Sequence, residues 1–224
     1  LFRSVVIVLG LGGLVALSSK DKVDVSNVDT NAVVKTGEHA DRIFGNQNAK
    51  VVLMEYGDFQ CPGCGGAYPQ LKTLSETYKD NMAFVFRHFP LTTIHPNALA
   101  AAAVAEAAGK QNKFWEMHDL LYTNQSAWEN LKAEQRGTVF EGYASQLGLN
   151  MDQYKTDVAS KEVAATISYD RALGGKAGVD STPTVFLNGE KMPTDVINDL
   201  VQNKGDLLQA RIRSEEHTSE LQSH

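Results

Sequence analysis

Cysteine is scarce in this 224-residue chain, occurring only at Cys61 and Cys64. Two cysteines are too few to staple a small disulfide scaffold, and a hydrophobic content of 42% supplies an ordinary core without them. Basic residues do not dominate either. Lys and Arg total 21 against 27 Asp and Glu, a net charge of -6, and they form no stripe along the chain. Nucleic acid rewards clustered Lys and Arg, so it is set aside as a partner. A zinc site built on the two thiols would have to recruit further ligands from His39, His88, His95 or His118, which show no paired spacing, so no metal is expected. Internal repeats are absent, and the alanine-rich run from Ala98 to Ala108 reads as a tightly packed helix.

Long apolar runs are limited to one, Val5 to Leu17, with Arg3 before it and Ser18-Ser19-Lys20 after it. A basic flank, an apolar run of about 7–15 residues and a small-residue exit describe a secretory signal, whereas a spanning helix needs about 20 apolar residues. Residues 1–18 are therefore expected to be a signal peptide or a membrane anchor, with cleavage and retention both open. Either one places the folded body outside the cytoplasm, secreted or tethered to the cytoplasmic membrane, where a disulfide persists. Residues 19–38 are polar and aperiodic and read as a flexible tether. Residues 213–224 resemble a translated sequencing adapter and are expected to be non-native; without them the net charge is -4.

The folded body then spans residues 39–212. After a short lead-in, Val51-Val52-Leu53-Met54 is a continuous apolar run, as a strand covered on both faces requires. Tyr68, Leu71, Leu74 and Tyr78 recur at spacings of three and four, which predicts an amphipathic helix beginning near Gly65, with a kink at Pro69. Ala83 to Phe86 predicts a second strand. From His95 to about Gly175 the period stays helical, with Ser126 and Asn150 as candidate caps, and such a stretch is too long for a loop. Asn188-Gly189 between short apolar runs predicts a hairpin, and Val196 to Leu208 a closing helix. The body thus divides into residues 39–92, a helical insertion at 93–175, and residues 176–212.

The two cysteines sit together at the strand-to-helix junction, as Cys61-Pro62-Gly63-Cys64. A helix N-terminus offers unpaired N–H groups and the positive end of the macrodipole, so it favours a thiolate on the first cysteine. Cys61 is then the attacking sulfur. Cys64, one turn inward, is the resolving thiol that closes an internal disulfide and releases a partner. A purely structural disulfide over two intervening residues would constrain the unfolded chain very little.

The run Glu55-Tyr56-Gly57-Asp58-Phe59-Gln60-Cys61-Pro62-Gly63-Cys64 is one of several motifs in a consistent order. It is followed by Arg87-His88-Phe89-Pro90-Leu91, His95-Pro96-Asn97-Ala98, Lys113-Phe114-Trp115 and Ser181-Thr182-Pro183-Thr184. Together these resemble the DsbA-like thiol:disulfide oxidoreductases of the thioredoxin superfamily, over about residues 40–210. The resemblance implies an α/β, thioredoxin-like fold with an inserted α-helical subdomain. It implies that Thr182-Pro183 is a cis peptide facing the cysteines, where the Thr182 backbone pairs with an extended substrate; without it, Pro183 reads as an ordinary strand-entry proline. It further implies that Glu55 is a buried acid beneath the site that exchanges protons with Cys64, against the plainer reading of a strand-edge Glu facing solvent. Asp58 reads as a turn residue, and His88 and His118 as packed or surface histidines.

The function expected is therefore protein thiol-disulfide exchange with no cofactor beyond the redox-active Cys61-Cys64 pair. The implied partners are exported proteins during folding and a membrane protein that resets the disulfide. An oxidase is favoured; a reductase or isomerase, or a redox-inactive peptide-binding module, is the alternative. Strongly oxidising members of the family often place His between the cysteines, and Gly63 departs from that pattern.

Overall fold

The computed structural model describes residues 23–221, so the expected signal or anchor at 1–18 lies outside the described residues. The first part of the body comprises β1 (Arg42–Gly45), β2 (Val51–Gly57), α1 (Pro62–Thr77) and β3 (Met82–His88). The insertion follows as α2 (Ala98–Gly109), α3 (Phe114–Thr123), α4 (Gln125–Trp128), α5 (Ala133–Gln146), α6 (Met151–Val158) and α7 (Lys161–Lys176). The chain then returns as β4 (Thr184–Leu187), β5 (Glu190–Lys191), α8 (Thr194–Val201) and α9 (Asp206–Leu221).

The five strands form one sheet in the order β1-β3-β2-β4-β5. β2 lies at its centre, parallel to β3 and antiparallel to β4, which explains why its sequence is apolar rather than alternating. Side chains still alternate between the faces. Val51 and Leu53 pack with Leu71 and Leu74 of α1, Val196 and Leu200 of α8, and Leu208 and Ile212 of α9. Met54 and Tyr56 pack on the opposite face with Val85, Phe186 and Leu173 of α7. Glu55 shares the parity of Leu53, so the strand sends it toward the layer that holds α1.

The insertion closes over the cysteine end of the sheet. Ala101, Ala105 and Ala108 of α2 are buried in one cluster with Phe114, Met117 and Leu121 of α3 and with Cys61 and Cys64. Small side chains there let neighbouring elements approach closely, as the alanine run requires. Asn150 caps α6 by accepting from the Gln153 amide at 3.0 Å. Ser126 lies inside α4 rather than capping a helix, and the cap of α7 is Ser160, whose hydroxyl accepts from the Val163 amide at 3.2 Å.

Four local expectations are corrected. The lead-in contains a strand, β1, paired antiparallel with β3. α1 begins at Pro62 instead of Gly65 and runs without interruption past Pro69 to Thr77. The closing helix is two helices, separated by a turn in which Asn203 and Gly205 take positive φ of 60° and 77°. The described part of the expected tether is held against the body. Val25 is buried on the sheet face with Tyr56 and Phe186, and the Lys176 ammonium donates to the carbonyls of Val25, Ser26 and Val28 at 3.1, 2.7 and 2.7 Å. The Asn188-Gly189 hairpin forms as expected, with φ of 48° and 84°.

Candidate active site

α1 starts at the cysteine motif itself. Cys61 is the N-cap residue, with extended backbone at φ -68° and ψ 122°, and its carbonyl accepts the first helical bond from the Gly65 amide at 3.1 Å. Pro62 at N1 forfeits only an amide that would have been unpaired anyway. The two thiols are not equivalent. Cys64 is fully buried and Cys61 is 8% exposed.

Their acidities diverge in the same sense. Cys61 is pulled down from 9.0 to about 5, first by the hydrogen bond from the Cys64 thiol, against the cost of burial, and further by the Thr182 side chain and the amides of Cys64 and Gly63. Cys64 is pushed well up, first by burial, then by its bond to Cys61 and by the charges of Glu55 and Cys61. At neutral pH the pair therefore holds one proton, on Cys64. Such an arrangement presents one nucleophile and keeps one thiol in reserve.

The Thr182-Pro183 peptide is cis and faces the pair. In its protonated form the Cys61 thiol donates to the Thr182 carbonyl at 3.2 Å. Pro183 also explains the small residue between the cysteines: a Cβ on Gly63 would lie 3.2 Å from Pro183 Cδ. Cys61, Pro62, Gly63, Cys64, Thr182 and Pro183 thus come together at one place.

Glu55 lies beneath them, 2% exposed, which overturns the solvent-facing alternative. Its pKa is raised from 4.5 to about 8, first by burial and then by the nearby charge of Cys61. A raised acid stabilises the fold fully below its unfolded pKa, and that contribution is lost as pH rises through its folded pKa. Glu55→Gln removes the penalty of ionising in the core. In the oxidised protein, where no thiolate competes, the variant is expected to gain about 2 kcal/mol over wild type near pH 9 and almost nothing near pH 4. Urea unfolding at the two pH values measures this, and an equal difference at both would show that Glu55 does not titrate with folding.

Several residues of the site were read as bland or not read at all. Asp58 opens a turn as expected, its carbonyl accepting from the Cys61 amide at 3.0 Å, and is also buried; its carboxylate accepts from the amides of Gln60 and Leu91, each at 2.8 Å, and pairs with His95 Nδ1 at 2.7 Å. The Gln60 side chain accepts from the Asn97 amide and donates to the Glu129 carbonyl, both at 2.6 Å. Gln125 reaches out of α4 to donate to the carbonyls of Phe59 and Cys61 at 2.7 and 2.9 Å. The insertion therefore braces the loop that carries Cys61. Their only sequence signal was the shared motif around Asp58 and Gln60, and Gln125 had none.

Fold and site together define a thioredoxin-type domain split by a helical insertion, with its thiol pair at the mouth of α1. A family model described as thioredoxin matches residues 38–203. The chain belongs to this family. It overlays a variant of alpha-DsbA1 from Wolbachia pipientis with a TM-score of 0.70 at 20% identity, covering 88% of this chain and 100% of that one. MdbA of Corynebacterium diphtheriae, described as a thiol-disulfide oxidoreductase, overlays with a TM-score of 0.60 at 19% identity, covering 76% of this chain and 91% of that one. In sequence, the chain is 39% identical over 167 residues to a Na(+)/H(+) antiporter NhaA 1 of Salinispora arenicola, covering 75% of this chain and 24% of that protein. The chain thus spans about a quarter of the length of the curated relatives it matches.

Proposed function

We propose that this chain is an extracytoplasmic oxidase that donates its Cys61–Cys64 disulfide to folding exported proteins and is reset by a membrane redox partner. One observation carries this reading: Cys61 is held as a thiolate at about 5 while Cys64 beside it is fully buried. A stabilised thiolate favours the reduced pair, and a couple whose reduced form is stabilised gives its disulfide away. Client thiolate attack on Cys61 breaks the Cys61–Cys64 bond, and Cys64 takes up a proton as it leaves. A second client thiolate then displaces Cys61, and the client leaves with a new disulfide. Thr182 and Pro183 would hold the client as an extended segment beside Cys61.

Equilibration with glutathione buffers tests the direction. An oxidase couple is expected at about -120 mV, and a value near about -270 mV would reverse the assignment to a reductase. A second reading is favoured by the likeness to antiporter segments: the same chemistry serving a membrane transporter of the Na(+)/H(+) antiporter kind. Mixed disulfides trapped by Cys64→Ser in cells separate the two. Exported client proteins support the first, and a transporter cysteine supports the second.

A further inference from the structure

Resting on the exchange chemistry proposed above, we propose that His118 is a proton-relay residue, joining the buried Glu55 carboxyl to solvent through one water molecule and Asp119. His118 belongs to α3, in the insertion, and lies outside the cysteine motif. It is 3% exposed, and its ring packs edge-on against Phe59, Phe86 and Tyr122. Its Nδ1 lies 3.2 Å from Asp119 Oδ1, and an ionised carboxylate can only accept. The ring proton is therefore on Nδ1, and Nε2 carries a bare lone pair.

Among the described residues, His118 Nε2 and Glu55 Oε1 are both buried without a hydrogen-bond partner. Both residues line one cavity of about 30 Å³. A water needs roughly 10–15 Å³ and at least two polar partners, and this cavity offers both. The protonated Glu55 donates to that water, and the water donates to Nε2, so each orphaned atom is satisfied at once. The same cavity is lined toward the surface by Asp119, Lys72 and Glu76, whose side chains are 31%, 40% and 54% exposed. Lys72 pairs with both carboxylates, and His88 pairs with Glu106 at 3.0 Å. Burial keeps His118 neutral, and the positive charge of Lys72 acts in the same direction, against the pull of Asp119.

The relay serves the step in which Cys64 closes the disulfide. Glu55 passes its proton through the water to Nε2, and the Nδ1 proton leaves by Asp119. Glu55 then accepts the Cys64 proton. The Cys64 sulfur attacks Cys61 of a mixed disulfide, the bond from Cys61 to the partner sulfur breaks, and the partner leaves as a thiolate. Two protein thiols are oxidised and one external disulfide is reduced. Protein reduction runs the same path inward.

Stopped-flow reaction of the reduced protein with 5,5′-dithiobis(2-nitrobenzoate) separates the steps. The first released thiolate reports Cys61 attack, and the second reports Cys64 closing the disulfide. His118→Phe is expected to slow the second phase about tenfold, leave the first unchanged, and recover with imidazole in the buffer. Asp119→Asn, which leaves the aromatic core intact, is expected to slow the second phase a few-fold and decides the matter if His118→Phe does not fold. A wild-type second phase in the folded variants, or equal slowing of both phases without imidazole rescue, overturns the relay. Absence of a second phase in the wild type would instead overturn the exchange reading on which it rests.

Discussion

Cys61→Ala is expected to lose oxidation of a dithiol peptide by a factor of on the order of 10³ or more, because the positioned nucleophile is removed and no other thiol can take its place. Cys64 is fully buried and held as a thiol by its surroundings. It cannot meet a client, and thiols exchange only as thiolates. Cys64→Ser should do the opposite: the first exchange proceeds, and a mixed disulfide through Cys61 accumulates. Fluorescence of a quenched dithiol peptide reads the first variant, and non-reducing electrophoresis with mass spectrometry reads the second. A Cys61→Ala protein keeping a tenth of wild-type activity would remove the proposed chemistry altogether.

Arg87→Met is expected to destabilise the protein by about 3–5 kcal/mol, the usual cost of leaving a buried charge without its partner. The Arg87 side chain is completely buried and donates to both Asp41 oxygens, from Nε at 2.7 Å and from a terminal nitrogen at 3.0 Å. Its remaining protons go to the carbonyls of Thr30 and Ala32 at 2.7 and 2.8 Å and to the Tyr56 hydroxyl at 3.0 Å. One guanidinium thereby ties the chain before β1 to the centre of the sheet. Urea unfolding at neutral pH gives the stability, and limited proteolysis should show new cleavage within residues 23–41. Arg87→Met with Asp41→Leu should recover most of the loss, since no lone charge is then left inside. A single variant within about 1 kcal/mol of wild type would mean that the clasp does not hold the segment.

The clasp also shows what a sequence conceals. The spacing of Cys61 and Cys64 at the end of an apolar run is a local pattern, and strand, helix mouth and thiol pair were legible from it. Glu55 was legible by strand parity once β2 was placed. The Thr182-Pro183 arrangement came only through the family resemblance, because the proline stands 119 positions after Cys64 and nothing near it marks the pairing. The segment before β1 looked like a tether because its holding groups accept through backbone carbonyls. No side-chain pattern distinguishes a carbonyl that Arg87 or Lys176 will find from one facing water. Asp58 does open a turn, its carbonyl accepting from the Cys61 amide at 3.0 Å, but its pairing with His95 was hidden because that partner lies 37 residues away. Polar residues advertise their chemistry in a sequence, but burial decides whether they cap a turn or hold a site together.

The insertion has a defined part in this account. Gln125 and Glu129 fasten the loop around Phe59, Gln60 and Cys61, while α3 supplies the His118 and Tyr122 rings that pack on Phe59. It therefore covers Cys64, whose thiol is the first of the donors that lower the Cys61 pKa against the cost of burial.

That acidity is the centre of the account, and titration measures it directly. Thiolate absorbance in the far ultraviolet, recorded on the reduced protein against an oxidised reference, should rise by one thiolate with a midpoint at about 5. Loss of that rise in Cys61→Ser assigns it. A midpoint near the ordinary value of 9.0, or a rise that survives in Cys61→Ser, would contradict the assignment of Cys61 as the standing nucleophile.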